Sequence, residues 1–318
     1  MKSKKTFLPV IIIIVLSFVG TVLADENNPR AGTRAFNFLK IEVTARPVSM
    51  GGAFTGLADD ESALYYNPAG IAALEGKHYI LAYQNNVFDM QSGFVGYIHP
   101  LGYNKKVSIY LNYLNYGEFI RTDDLGNEEG TFSGSDLLFG IGYAMNFEND
   151  LQVGATLKLI YEKIDIYSAH GFALDLGLRK SLNYGRASFG IMIQNLGIQM
   201  SNFTSTGDKD PLPLRFRAGG AVLPRGLPVR LAGDIVWPTD NDAYLAIGLE
   251  VVEIKPLYLR LGWSGLGSNY KTGASGDDIS GFTAGFGVEY NNMHFSYAIT
   301  PQAELGTSHR VTLTGGFN

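Results

Sequence analysis

The chain has 318 residues, of which 46% are hydrophobic and only 17% charged, with a formal net charge of −5, no cysteine, 39 glycines, 19 phenylalanines and 18 tyrosines. Charge lies well under the ~25% of ordinary soluble domains, and glycine well over the ~7% norm, which excludes a disordered polar chain. The lack of cysteine excludes a disulfide framework, a thiolate metal site and a Cys nucleophile, the acidic balance argues against a nucleic-acid partner, and the single long apolar run excludes a helical membrane bundle.

That run is N-terminal. Lys2, Lys4 and Lys5 precede apolar Phe7 to Val19, and Val22 and Ala24 stand at positions −3 and −1 before Asp25. This layout predicts a secretory signal peptide over residues 1–24, with a retained anchor as the alternative. Cleavage removes three lysines and leaves a more acidic chain, and a cysteine-free chain suits export.

Residues 25–78 show no strand alternation and are too many for an ordinary loop. They hold a dense motif: Phe38-Leu39-Lys40-Ile41, Ala45-Arg46, Met50-Gly51-Gly52-Ala53-Phe54, Ala58-Asp59-Asp60 and Tyr66-Asn67-Pro68-Ala69-Gly70. Gly51-Gly52 allows a backbone approach that a Cβ would block. Asp60 is placed to cap a short helix over residues 61–66, and Pro68 drives Asn67 out of helical geometry and ends it. The expectation is a compact, partly helical plug, followed by a barrel from residue 79.

From residue 79 apolar residues fall at every second position, as in Leu137, Phe139, Ile141, Tyr143 and Met145, with Leu138, Gly140, Gly142 and Ala144 between them. This period predicts strands. Fourteen are expected: 79–86, 90–99, 106–119, 134–147, 150–167, 171–182, 186–197, 213–223, 228–237, 243–253, 256–264, 280–291, 293–301 and 308–318. Many exceed the ~5–6 residues usual in soluble domains and match the ~9–11 needed to cross a bilayer. The even-numbered connections are short, with Asn pairs suited to tight hairpins. The longest, at 120–133, 198–212 and 265–279, are all odd, which is the sorting of an outer-membrane barrel. Asp175, Arg179, Arg215, Arg217, Arg230, Asp234, Glu250 and Arg260 all fall on the non-apolar face and suit a lumen. Tyr and Phe near strand ends suit interfacial girdles. In 150–167 the phase changes, which predicts a β-bulge and a candidate exit through the wall. The fold class is therefore an all-β, transmembrane antiparallel barrel of about 14 strands with an N-terminal plug.

The motif run over residues 38–70 resembles the PorV/PorQ family and, more distantly, the FadL-type transporters of hydrophobic compounds in the bacterial outer membrane. Tyr66-Asn67-Pro68-Ala69-Gly70 is similar to the Asn-Pro-Ala signature of the FadL-type hatch. The resemblance implies a fourteen-stranded barrel with Met50, Gly51, Gly52, Phe54, Asp59, Asp60, Asn67, Pro68 and Ala69 in the plug. It implies two functions: passage of a hydrophobic molecule that binds beside the plug and leaves through the wall, or a role in type IX secretion, binding the C-terminal domains of cargo through the long loops. Outer-membrane lipid and lipopolysaccharide are then the surroundings.

Other chemistry is thin. Gly51-Gly52-Ala53-Phe54-Thr55-Gly56 lacks the Lys-Ser/Thr ending of a phosphate loop. Asp59-Asp60-Glu61 and the acids of 123–129 lack calcium-loop spacing. His78, His99, His170, His294 and His309 have no metal-ligand spacing. No cofactor, metal or catalytic residue is expected. The alternative readings are a barrel hydrolase and a purely structural outer-membrane protein.

Overall fold

The computed structural model describes residues 30, 32–203, 207–270 and 277–317. The expected signal peptide, residues 25–29 of the expected plug and Asn318 lie outside them. Fourteen strands follow one another: β1 (Lys77–Asn85), β2 (Gln91–Pro100), β3 (Lys105–Thr122), β4 (Glu128–Phe147), β5 (Leu151–Ile164), β6 (Tyr167–Leu182), β7 (Ala187–Ser201), β8 (Arg215–Val222), β9 (Val229–Pro238), β10 (Tyr244–Val251), β11 (Leu257–Ser264), β12 (Phe282–Tyr290), β13 (Met293–Pro301) and β14 (Thr307–Phe317). Each pairs with its successor, and β14 closes on β1 from Lys77↔Phe317 to Asn85↔His309, giving a closed antiparallel barrel. Closure leaves no free edge around the wall, the condition for a sheet to stand in lipid.

Side chains alternate as the period-two pattern requires. On β4, Asp136, Leu138, Gly140, Gly142 and Ala144 point inward and are buried, while Ile141 and Tyr143 face out and are exposed. The outer surface carries Ile109, Leu157, Ile191, Leu261 and many other exposed apolar side chains. A belt of this extent is unfavourable in water and favourable in hydrocarbon. The eight charged residues read as inward-facing do line the lumen, seven of them buried and Arg230 partly so.

Two sequence expectations are corrected. Residues 120–133 are not a long loop: β3 and β4 stay paired out to Thr122↔Glu128, so the connection is a five-residue turn, 123–127, at the tip of a tall hairpin. Gly134 is the last β4 residue paired with β5, and Asn115 the last β3 residue paired with β2, so the hairpin extends beyond its neighbours, tied to the β5–β6 turn by Arg121 and Asp165 at 2.6 Å. Nor is there a bulge in 150–167. β5 pairs without a shift to both neighbours, and the phase changes because the chain turns at Asp165, whose φ is 55°. The nearest shifts in register lie instead between β6 and β7, where Gln194 and Asn195 together oppose Asp175 and Asn195 takes φ 62°. Buried Lys158 holds this bulge, donating to Asn195 Oδ1 at 2.9 Å, while the Asn195 N–H donates to Asp175 at 2.8 Å.

Because Ile141 sits outside, midway along the part of β4 paired with β5, Ile141→Arg should lower stability by about 2–4 kcal/mol in lipid vesicles. Denaturant titration of vesicle-folded protein checks this, and an unchanged midpoint would contradict the lipid-facing assignment.

Candidate functional site

The chain over residues 34–76 lies within the barrel and winds through its length. It begins at the end that carries the odd-numbered connections. There Arg34 donates to the Thr239 carbonyl at 3.2 Å, the Ala35 N–H to the Pro211 carbonyl at 3.2 Å, and Lys40 pairs with buried Asp240 at 2.7 Å. It descends along β14, where Arg310 donates to the Glu42 carbonyl and the Ala45 N–H donates to Thr312. A short helix, α1 (Ala45–Ser49), lies against β11 to β14 and sends the Arg46 side chain toward the short-turn end. The chain then rises through Met50-Gly51-Gly52, returns past Phe54 and Thr55 to Asp59-Asp60, forms α2 (Ala63–Tyr66) and a 3₁₀ turn (Pro68–Ala73), and enters β1.

Irregular backbone buried in this way needs partners for its N–H and C=O groups. The wall supplies them. Asp234 on β9 accepts from the Phe54 and Thr55 N–H groups at 3.1 and 2.9 Å and from the Thr55 hydroxyl at 2.6 Å. Arg179 on β6 donates to the carbonyls of Gly56 and Leu57, Arg215 to that of Leu39 and Arg217 to that of Gly52.

Asn67 is fully buried, its amide donating to the Thr55 carbonyl at 2.7 Å and its Oδ1 accepting from the Ala69 N–H at 3.2 Å. Its φ of −154° is extended, with Pro68 following, and the helix stops at Tyr66. Asp60 Oδ1 accepts from the Ser62 N–H at 2.8 Å, one residue before α2. Wall glycines receive the motif: a Cβ on Gly154 would lie 2.4 Å from the Pro68 carbonyl carbon, and one on Gly177 2.1 Å from Asn67 Oδ1. Gly51, at φ 66°, presses on the Trp263 backbone. Phe54 packs edge-on to Tyr66 within an aromatic cluster that also takes in Tyr65, Phe94 and Tyr110.

Asp59 and Asp60, which sequence spacing leaves as caps or solvated acids, meet in a clamp that it did not reveal. Arg46 donates to Asp59 at 2.7 Å, Asp60 at 2.8 Å, and both oxygens of Glu250 at 2.8 and 3.0 Å. Arg230 reaches Asp59 and Glu250, each at 3.1 Å, and Arg260 donates to Glu250 at 2.8 Å. Three guanidiniums thus balance three carboxylates and tie both arms of the plug to β9, β10 and β11. Burial lifts the Asp59 carboxyl, but Arg46 and Arg230 outweigh it and hold it below its ordinary range. Burial raises Asp60, helped by Glu61 and Asp59 and opposed by Arg46. Glu61 completes this end, paired with His78 at 2.8 Å.

Two cavities flank the plug. At the short-turn end, 510 Å³ is lined by the clamp with His78, Tyr258 and His294, a charged vestibule. At the long-loop end, 490 Å³ is lined by apolar Val48, Phe88, Met90 and Leu305 together with charged Lys40, Glu42, Arg215, Asp240 and Arg310. Among the described residues no group of three or more acidic or histidine side chains could hold a metal ion. His170, beside Ser168, stacks on Tyr161.

Replacing Asn67 and Pro68 together by alanine should loosen the plug and raise ion conductance in planar bilayers at least severalfold; unchanged conductance would remove these residues from any closing role. The clamp sets a pH limit. A carboxyl held below its unfolded value stabilises at neutral pH and loses that contribution only as pH falls through its depressed value, whereas Asp60, held above, gains stability on protonation. Protection of the plug from protease should therefore persist from neutrality down to the ordinary aspartate value of 3.8 and fail below it. Arg46→Ala should move this failure to higher pH.

Solved structures of similar shape include a toluene transporter and monoaromatic hydrocarbon channels. The toluene transporter TbuX of Ralstonia pickettii aligns at a TM-score of 0.61 and 12% identity, over 86% of this chain and 98% of that one. The monoaromatic hydrocarbon channel CymD aligns at 0.59 and 13%, over 89% and 99%. A FadL homologue of Pseudomonas aeruginosa aligns at 0.55 and 10%, over 87% and 99%. At these identities the likeness is one of fold. A search of curated protein sequences finds no match. A family model spans residues 17–206, more than half of the chain, and by that match the protein belongs to the uncharacterised protein family UPF0164.

Proposed function

We propose that the protein is a non-enzymatic barrel of the bacterial outer membrane that carries small hydrophobic compounds inward past its plug. The observation that carries this reading is the 490 Å³ cavity at the long-loop end. Its size is that of a small-molecule site, its lining mixes apolar side chains such as Val48, Phe88 and Met90 with charged ones such as Lys40, Arg215 and Arg310, and it ends on a plug that blocks the lumen beneath. The toluene and monoaromatic-hydrocarbon proteins that share the fold support the same substrate class. The apolar belt supports outer-membrane placement, and the proposal adds export by the N-terminal leader and lipopolysaccharide among the surroundings.

One observation favours the secretion reading of PorV-like proteins. The hairpin above Asn115 and Gly134 extends past its pairing with β2 and β5 and carries exposed Ile120 and Leu125, the kind of surface to which an extended cargo segment adds a strand. Its sequence-level counterpart is the likeness of residues 38–70.

The test is uptake. Cells expressing the protein should take up radiolabelled toluene severalfold faster than cells without it, and cells expressing a variant with the hairpin residues 118–131 shortened should keep that gain. No gain with the intact protein would overturn the transport reading. Cargo domains co-purifying with the intact protein but not the shortened one would replace it with the secretion reading.

A further inference from the structure

We propose that Asp136, Glu162 and Asn112 form a binding site for a hard divalent cation in the lumen wall, at the root of the tall β3–β4 hairpin. The site stands on the wall's own side chains and is independent of what the barrel carries.

Asp136 on β4 pairs directly with Glu162 on β5, two residues before that ladder ends at Gly134↔Ile164. Both follow the inward phase of their strands. Asp136 is fully buried and Glu162 half-buried, whereas Tyr161 and Lys163 on either side of Glu162 are exposed. Residues directly opposite on one face carry Cβ atoms about 5 Å apart, and like charges so placed repel. Burial strengthens that repulsion, because less water screens it.

Other inward-facing carboxylates of the wall meet a base. Asp175 pairs with Lys158 at 2.5 Å, Asp234 with Arg217 at 3.0 Å and Glu250 with Arg260 at 2.8 Å. Among the described residues no lysine, arginine or histidine pairs with Asp136 or Glu162. The inward base on the same strand, Lys158, is committed to Asp175 and Asn195. Two acids of the wall thus face each other without the counter-charge that their counterparts have.

The oxygens around this pair are poised for a cation. The Tyr116 hydroxyl donates to Asp136 Oδ2 at 2.6 Å, which fixes the carboxylate, and Asp136 Oδ1 is buried with no partner. Asn112 on β3 is also buried, and its Oδ1 likewise has no partner. It lies one inward position below Leu114, the residue paired with Asp136, and is therefore the diagonal neighbour of Asp136 on the inner face. Such neighbours stand about 7–8 Å apart, a distance that two short side chains and a shared cation span. Buried acceptors without a donor are costly, and a cation satisfies both at once. Two carboxylates and an amide oxygen, with no sulfur or imidazole, select a hard cation, and their charge matches a divalent one. Glu162, open in part to the lumen, lets water fill the remaining positions. Tyr116 lies in the bulge where β3 shifts register between Asn115 and Glu118, so the site sits where the hairpin leaves the barrel.

Calcium chloride titrated calorimetrically into the chelator-treated protein in detergent tests this. Binding should be saturable, and Asp136→Asn and Glu162→Gln should each weaken it at least tenfold. Asp123→Asn, in the acidic turn at the hairpin tip, should leave it unchanged, because Asp123 is already satisfied by the Leu125 and Asn127 N–H groups. A second measurement separates lost ligation from lost folding. Without calcium both variants should unfold at no lower temperature than the unsubstituted protein, since each removes a repelling charge. Calcium should raise the unfolding temperature of the unsubstituted protein and not of either variant. Absence of saturable binding, which would leave a proton to settle the pair, or binding that survives both substitutions, overturns the proposal.

Discussion

Irregular backbone taken out of water must find a partner for every N–H and C=O, and the interior of this barrel is organised around that demand. Between residues 36 and 76 the chain forms only two short helices and a few 3₁₀ turns, so most of its backbone groups cannot be satisfied locally. The barrel wall satisfies them with charged side chains held on rigid strands. Asp234 receives two N–H groups and a hydroxyl, and Arg179, Arg215, Arg217 and Arg310 each cover plug carbonyls. Charges that would be costly in a dry core are in turn stabilised by the dipoles and counter-charges of the plug. Wall and plug therefore depend on one another, and wall charges also pair directly, Arg217 with Asp234 and Arg260 with Glu250.

The same close fit explains the placement of small residues. A backbone can approach a strand only where the strand has no side chain facing it, so Gly154, Gly177, Gly248 and Gly262 lie under Pro68, Asn67, Met50 and Gly51. The abundance of glycine has a cause beyond turns, because it marks the footprint of the plug on the wall. The Arg46 clamp closes the short-turn end of that footprint, and Lys40 with Asp240 holds the other. Where the plug does not press, the two cavities remain, one around the Arg46 clamp and one where apolar and charged side chains mix.

The barrel was legible in the sequence because period-two alternation is a local property: each strand records which face meets lipid without reference to its neighbours. All fourteen strands and the sorting of short connections could be read in this way. The two misreadings arose where local pattern has two causes. A phase change in 150–167 marks either a bulge or a turn, and here it is the turn at Asp165. A polar, acidic stretch at 120–133 suggests a loop, yet it is a hairpin that extends beyond the barrel and so has no apolar face to alternate. Tyr110 and Phe94 also escaped notice as lumen residues, since β2 and β3 carry apolar side chains in both phases.

The sequence by itself determined the architecture, the inward set of charges and the existence of a glycine-rich motif ahead of the barrel, because each of these is written in spacing along one stretch of chain. Only the tertiary structure decided which groups meet. Arg46 and Glu250 are 204 residues apart and Gly51 and Thr283 are 232 apart, and no periodicity relates them. Those meetings depend on how the barrel closes and how deep the plug descends, which are properties of all fourteen strands together.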